Sequence, residues 1–145
     1  MSILQQIQSE LKAPKGQKNN FGNYSYRSAE DILTAVKPLL EKHEVSLIIS
    51  DDIVGVEGRV YVQATATLRS GDPSLTLPLA SSTGFAREAL TKKGMDDAQI
   101  TGSASSYARK YALNGLLCID DTKDPDATNK HDSLPKLTTK QESGF

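Results

Sequence analysis

The chain has 145 residues, room for one domain of ordinary size, and its 37% hydrophobic content is low for a globular protein yet above that of a disordered one. No run approaches the roughly 20 apolar residues that span a bilayer, and the N-terminus lacks the basic-then-apolar pattern of a signal peptide. The single cysteine, Cys118, has no internal partner for a disulfide, so a cytoplasmic protein is expected.

A net charge of −1 taken alone argues against a nucleic-acid partner, but the charge is unevenly spread. Residues 11–27 carry Lys12, Lys15, Lys18 and Arg27, and residues 98–119 carry Arg109 and Lys110, in both cases without an acid. Six acids and four bases lie from Asp120 onward, which leaves a nearly neutral body with local basic patches able to bind phosphate.

In chain order, Ile3, Leu4, Ile7 and Leu11 predict a short amphipathic helix over residues 2–11. Pro14 and Gly16 end it, and a polar loop runs through Asn19 and Asn20 to Phe21, Tyr24 and Tyr26. Ser28 and Asp31 form a capping-box pattern for a second helix whose buried stripe is Ile32, Leu33, Val36, Leu39, Leu40 and His43, with a bend expected at Pro38. The period then changes to two. Residues 45–54 read as a strand closed by a turn at Gly55 to Gly58, and Arg59–Arg69 alternates, with Val60, Val62, Ala64, Ala66 and Leu68 facing one way. Leu75, Leu77 and Leu79 mark a third strand, which Pro78 places at an edge or a bulge.

A loop of mixed charge from Arg87 to Asp97 leads to a long helix over Ala98–Leu117. Its Gly102–Ser106 run is small enough to pack closely on a sheet, and Tyr107 and Tyr111 are read as core residues with hydroxyls at the rim. Beyond Asp121 the chain is polar. The expected architecture is α+β: a three-stranded antiparallel meander packed against a long C-terminal helix, a β-β-β-α core, with N-terminal helices on the same face. The expected division is a domain over residues 1–122 and a flexible polar tail over 123–145.

Enzymatic readings fare poorly. The chain has no Gly-rich loop ending in Gly-Lys-Ser/Thr, and His43, His131 and Cys118 lack zinc-site spacing. The pairs Asp51-Asp52, Asp96-Asp97 and Asp120-Asp121 suggest a magnesium-dependent nuclease, but each lies at an element end or in a loop, where Asp serves turns and solvation. A binding reading is stronger, because Phe21, Tyr24, Tyr26 and Arg27 follow Lys12, Lys15 and Lys18. Cations neutralise phosphates while rings stack on bases. Against it stands the plainer role of Tyr24 and Tyr26 as cover for the sheet. On the last helix Ser103, Ser106 and Lys110 share one face flanked by Arg109, a face that also suits simple solvation.

The run from Gln99 through Ser103-Ala104-Ser105-Ser106-Tyr107-Ala108-Arg109-Lys110-Tyr111 to Leu113, with Leu116-Leu117 and Asp120-Asp121 after it, resembles the signature of the essential recombination function family. Those proteins are phage single-strand DNA annealing proteins. The upstream run Tyr24 to Ile32 and Lys37-Pro38-Leu39-Leu40 match in the same order, so the similarity covers about residues 3 to 122. The resemblance implies an annealing-recombinase fold, assembly into a ring or filament, and ATP-independent annealing of single-stranded DNA through a duplex intermediate. It implies no cofactor, and a host or phage single-strand binding protein or exonuclease as a further partner.

Carried onto this chain, the implied DNA contacts are Tyr24, Tyr26, Arg27, Arg87, Lys92, Lys93, Ser103, Ser106, Arg109 and Lys110. Two departures stand out. The segment after the motif is short for a family-type C-terminal region, and Lys110 stands where Arg is common, which keeps the charge but loses bidentate phosphate geometry. The alternative is a double-stranded RNA-binding module. It would place a basic cluster at the start of the last helix, directly after the third strand; here that helix starts with Gly, Ser and Ala after a loop of more than a dozen residues.

Overall fold

The computed structural model describes residues 1–91 and 93–120; Lys92 and the segment assigned above to a tail lie outside them. Helix α1 (Ile3–Glu10) starts at Ser2 in a capping box closed by Gln5 and buries Ile7, as its spacing predicts. The stretch read as a loop contains a hairpin, β1 (Gln17–Asn19) and β2 (Tyr24–Tyr26), paired antiparallel with Asn19 opposite Tyr24. The Asn19 side-chain oxygen accepts the Phe21 and Gly22 amides at 2.9 and 3.1 Å and closes the turn. Helix α2 (Ala29–Lys42) follows at once, with the Ser28–Asp31 capping box as expected and Pro38 inside it.

Strands β3 (Val45–Val56), β4 (Arg59–Ser70) and β5 (Ala80–Arg87) form one antiparallel sheet in that order. The β3–β4 turn is tighter than expected: Glu57 and Gly58 alone make it, both at positive φ (48° and 79°), so β3 continues through Val56. The larger correction concerns the third strand. Leu75, Leu77 and Leu79 lie exposed in the connection after β4, and the strand is Ala80–Arg87. Its inward positions are Ala80, Ser82, Gly84 and Ala86, opposite Leu68, Ala66, Ala64 and Val62 of β4. No large apolar residue announces that face.

The small inward face has a purpose, which α3 (Asp97–Leu117) reveals. Ala104, Ala108 and Ala112 form a buried stripe at every fourth position, seated on β4 and β5. A Cβ built on Gly84 would stand 2.5 Å from the Ala108 carbonyl oxygen and the Ala112 nitrogen, so the helix backbone approaches the strand closely. The core is completed by Ile7, Ile32, Val36, Leu68, Leu113 and Leu117. At the far end, Gln8 donates to the Leu116 carbonyl at 2.8 Å, while Glu10 accepts from Lys42 at 3.2 Å and contacts the His43 ring at 3.0 Å. His43 is therefore a cap and packing residue at the end of α2. The three helices of the described residues lie on one face of the sheet, and β4 buries Val62, Ala64, Ala66 and Leu68 toward them.

Candidate nucleic-acid interface

The close seat of α3 leaves no depth beneath it for large rings. Tyr107 and Tyr111, read from the sequence as core, are about half exposed, 53% and 48%. They lie beside the alanine stripe rather than on it, with ring centroids 6.3 Å apart and planes inclined at 29°. The correction turns two supposed core residues into surface aromatics.

Two clefts border this tyrosine pair. The first, about 230 Å³, opens between the end of β2 with the start of α2 and the exposed side of α3. Tyr26, Arg27, Ser28 and Ala29 form one wall; Ser103, Ser106, Tyr107 and Lys110 form the other. The Lys110 ammonium stands 5.5 Å from the centroid of the Tyr26 ring, a cation–π contact that joins the walls. Residues 26–29 arrive here because β2 runs directly into the α2 cap, and because the Gln17 amide on β1 donates to both Asp31 oxygens at 3.2–3.3 Å. The Ser28 amide and the Gln17 side chain hold the Asp31 carboxyl below its usual pKa. The positive end of α2 is thus already engaged by its own carboxylate, and the cationic character of the cleft comes from Arg27 and Lys110.

The second cleft, about 410 Å³, lies on the other side of Tyr107, between α3 and the β5 edge. Ser103 and Tyr107 line both clefts, and Arg87 lines the second. Among the described residues no carboxylate lines either one.

Of the residues singled out in the sequence, Tyr26, Arg27, Ser103, Ser106 and Lys110 meet in the first cleft. Tyr24 stands beside it in the hairpin, its ring 6.1 Å from that of Tyr26, its hydroxyl accepting from the Asn19 amide at 3.1 Å. Arg109 turns away. It donates to Asp51 on β3 at 3.2–3.4 Å, and the Ser105 hydroxyl donates to the same carboxylate. Lys93 is exposed in the 88–96 connection and lines neither cleft; Lys92 lies outside the described residues. Sequence reasoning missed the surface role of Tyr107 and Tyr111. The available signal was their offset by one position from the alanine stripe at 104, 108 and 112. Among the described residues no group of three His, Cys, Asp or Glu is placed to hold a metal, and no helix is long and apolar enough to cross a membrane.

A family model for the ERF superfamily matches residues 2–143. The chain belongs to the ERF superfamily. It is 56% identical over 128 residues to the Essential recombination function protein of Salmonella phage P22, an alignment covering 88% of this chain and 58% of that protein. The chain thus spans well under two thirds of that relative's length, and no solved structure matches it. The ERF match runs across residue 122, where the composition leads to the expectation of a boundary. Two of the segments that carry the ERF resemblance, Tyr24 to Ile32 and Gln99 to Leu113, supply the two walls of the first cleft.

Proposed function

We propose that this chain binds single-stranded DNA along the exposed side of α3 and anneals complementary strands without nucleotide hydrolysis, in the service of recombination. The observation that carries the proposal is the Tyr26–Lys110 contact, which sets a ring and a cation together in one cleft beside Arg27. Arg27 and Lys110 neutralise phosphates, and Ser103 and Ser106 donate to them as uncharged partners. Tyr26 and Tyr107 offer stacking faces that accept any base. Base pairing supplies the free energy of annealing. The protein lowers repulsion between two polyanions and keeps bases off their own neighbours, and a nearly neutral body favours release of the duplex. No bond is made or broken in this account, so no catalytic residue is assigned.

Assembly of many copies would join short sites into a continuous track and multiply affinity. Ile53, Val56 and Val60 at the far end of the β3–β4 hairpin are exposed, and β3 and β5 are edge strands with no further strand beside them among the described residues. Neighbouring copies would cover this surface.

The test incubates labelled complementary strands with the protein, without nucleotide and with or without magnesium, while light scattering reports mass. Faster duplex formation with unchanged strand lengths and a mass of many subunits supports the proposal; shortened strands would support a nuclease instead. Preference for duplex RNA would favour the double-stranded RNA-binding alternative. The connection before α3 spans only residues 88–96, shorter than the sequence suggested, which weakens one argument against that module. The helix start argues against it on a different ground: α3 begins not with Gly, Ser and Ala but with Asp96 as its cap and Asp97 in its first turn, where duplex phosphates would be repelled.

A further inference from the structure

The cleft beside β5 differs in character from the one across α3. Buried Ile100 and Ala104 give it an apolar floor, Tyr107 and Tyr111 an aromatic side, and Ala89 and Met95 stand at its exposed rim. It meets the first cleft at Ser103 and Tyr107, so a strand whose phosphates follow Arg27 and Lys110 brings its bases past this opening. We infer that the cleft seats one nucleobase of the bound single strand, with the base face against the Tyr107–Tyr111 pair. The inference rests on the single-strand reading above and adds to it where a base goes.

Three observations favour a base over an apolar side chain of a protein partner. Among the described residues the lining carries Arg87 and no acid, which suits a ligand attached to phosphates. An aromatic wall over an apolar floor suits a flat ring with a polar perimeter. Among the described lining residues there is no Asn, Gln, Asp or Glu. With Arg87 turned to phosphate, the base is held by stacking on the aromatic wall, a contact open to any base, as annealing of arbitrary sequences demands. A base held here is separated from its neighbours in the stack and is unavailable to a complementary strand until it leaves. Release from the cleft is thus a step in pairing.

The experiment uses the full chain and single strands carrying one 5-iodouracil at successive positions, with photo-crosslinked residues mapped by mass spectrometry. Crosslinks to Tyr107, Tyr111 or Met95 are expected. In Ala89→Trp, whose indole fills the cleft from its exposed rim, those crosslinks fade and the affinity ratio of an ordinary strand to an abasic one falls about tenfold. Crosslinks confined to Tyr26, with none in the second cleft, would overturn the base site and leave the single-strand reading intact. A wild-type protein that retains no single strand at all would overturn both. The crosslink map is read in the unaltered protein, so the outcome does not depend on the variant folding.

Discussion

The Lys110 ammonium lies over the Tyr26 ring at 5.5 Å from its centroid, so that the N-terminal hairpin meets the last helix across 84 positions of sequence. Neither residue is needed by the buried core, whose members are aliphatic. A lysine placed over a tyrosine at the surface is worth about 0.5–1 kcal/mol, too little to account for joining two elements by itself. Its value is that charge and aromatic face are presented together.

From this arrangement Tyr26→Ala is expected to weaken single-strand binding by about 1–3 kcal/mol, the range for losing one stacked base. The urea midpoint should shift only slightly, because Tyr26 is half-buried at a cleft wall and not in the core. Tyr24→Ala should do the reverse: a Cβ built on Gly22 would collide with the Tyr24 ring, so that ring packs on the hairpin turn. Parallel anisotropy titrations and urea melts of the two variants separate the roles.

The paired cations of α3 should also behave differently. Lys110→Ala is expected to flatten the salt dependence of binding by about one counterion. Arg109→Ala should leave the slope nearly unchanged, since the guanidinium is engaged by Asp51. Equal flattening by both variants would mean that the Asp51 pair opens when DNA binds.

Much of the fold is readable in the sequence because its signals are local. The Ser28–Asp31 box, the clean alternation of β4 and the spacing of α3 each follow from residues within a few positions of one another. The third strand was misplaced because Leu75, Leu77 and Leu79 alternate like a strand while facing solvent. The true strand presents Ala80, Ser82, Gly84 and Ala86 inward, a face chosen for closeness to α3 and not for apolar bulk. The β1–β2 hairpin, with three residues per strand, is too short for periodicity to register. For the site, residue types and helix spacing were enough to group Ser103, Ser106 and Lys110. That Arg109, one position before Lys110, faces Asp51 depends on where β3 passes, which no local pattern encodes.

The closeness of α3 to β5 has its own test. Gly84→Ala should destabilise the protein by about 1–3 kcal/mol, the usual cost of overpacking, because the added methyl meets helix backbone that has little room to retreat. Thermal or urea denaturation measures it. A neutral result would mean that the helix shifts freely on the sheet.

At the start of α2, Ser28→Ala should cost about 1 kcal/mol through loss of the N-cap. Asp31 adds a pH dependence whose sign is determined by its pKa being lower in the folded protein than in the unfolded chain. Its contribution is complete above about pH 5 and is lost as pH falls below about 4, through the lowered native value. Urea midpoints of wild type and Asp31→Asn should therefore differ by a constant amount at neutral pH and converge in acid.

The central claim is that the cleft between Tyr26 and Lys110 holds single-stranded DNA. Equilibrium anisotropy with a labelled single strand, comparing wild type with the Tyr26→Ala, Lys110→Ala double variant at matched ionic strength, tests it most directly. Tight binding by wild type is expected, with a loss of tenfold or more in a double variant that melts as wild type does. Undiminished affinity in that folded variant would place the DNA elsewhere on the protein and contradict the account.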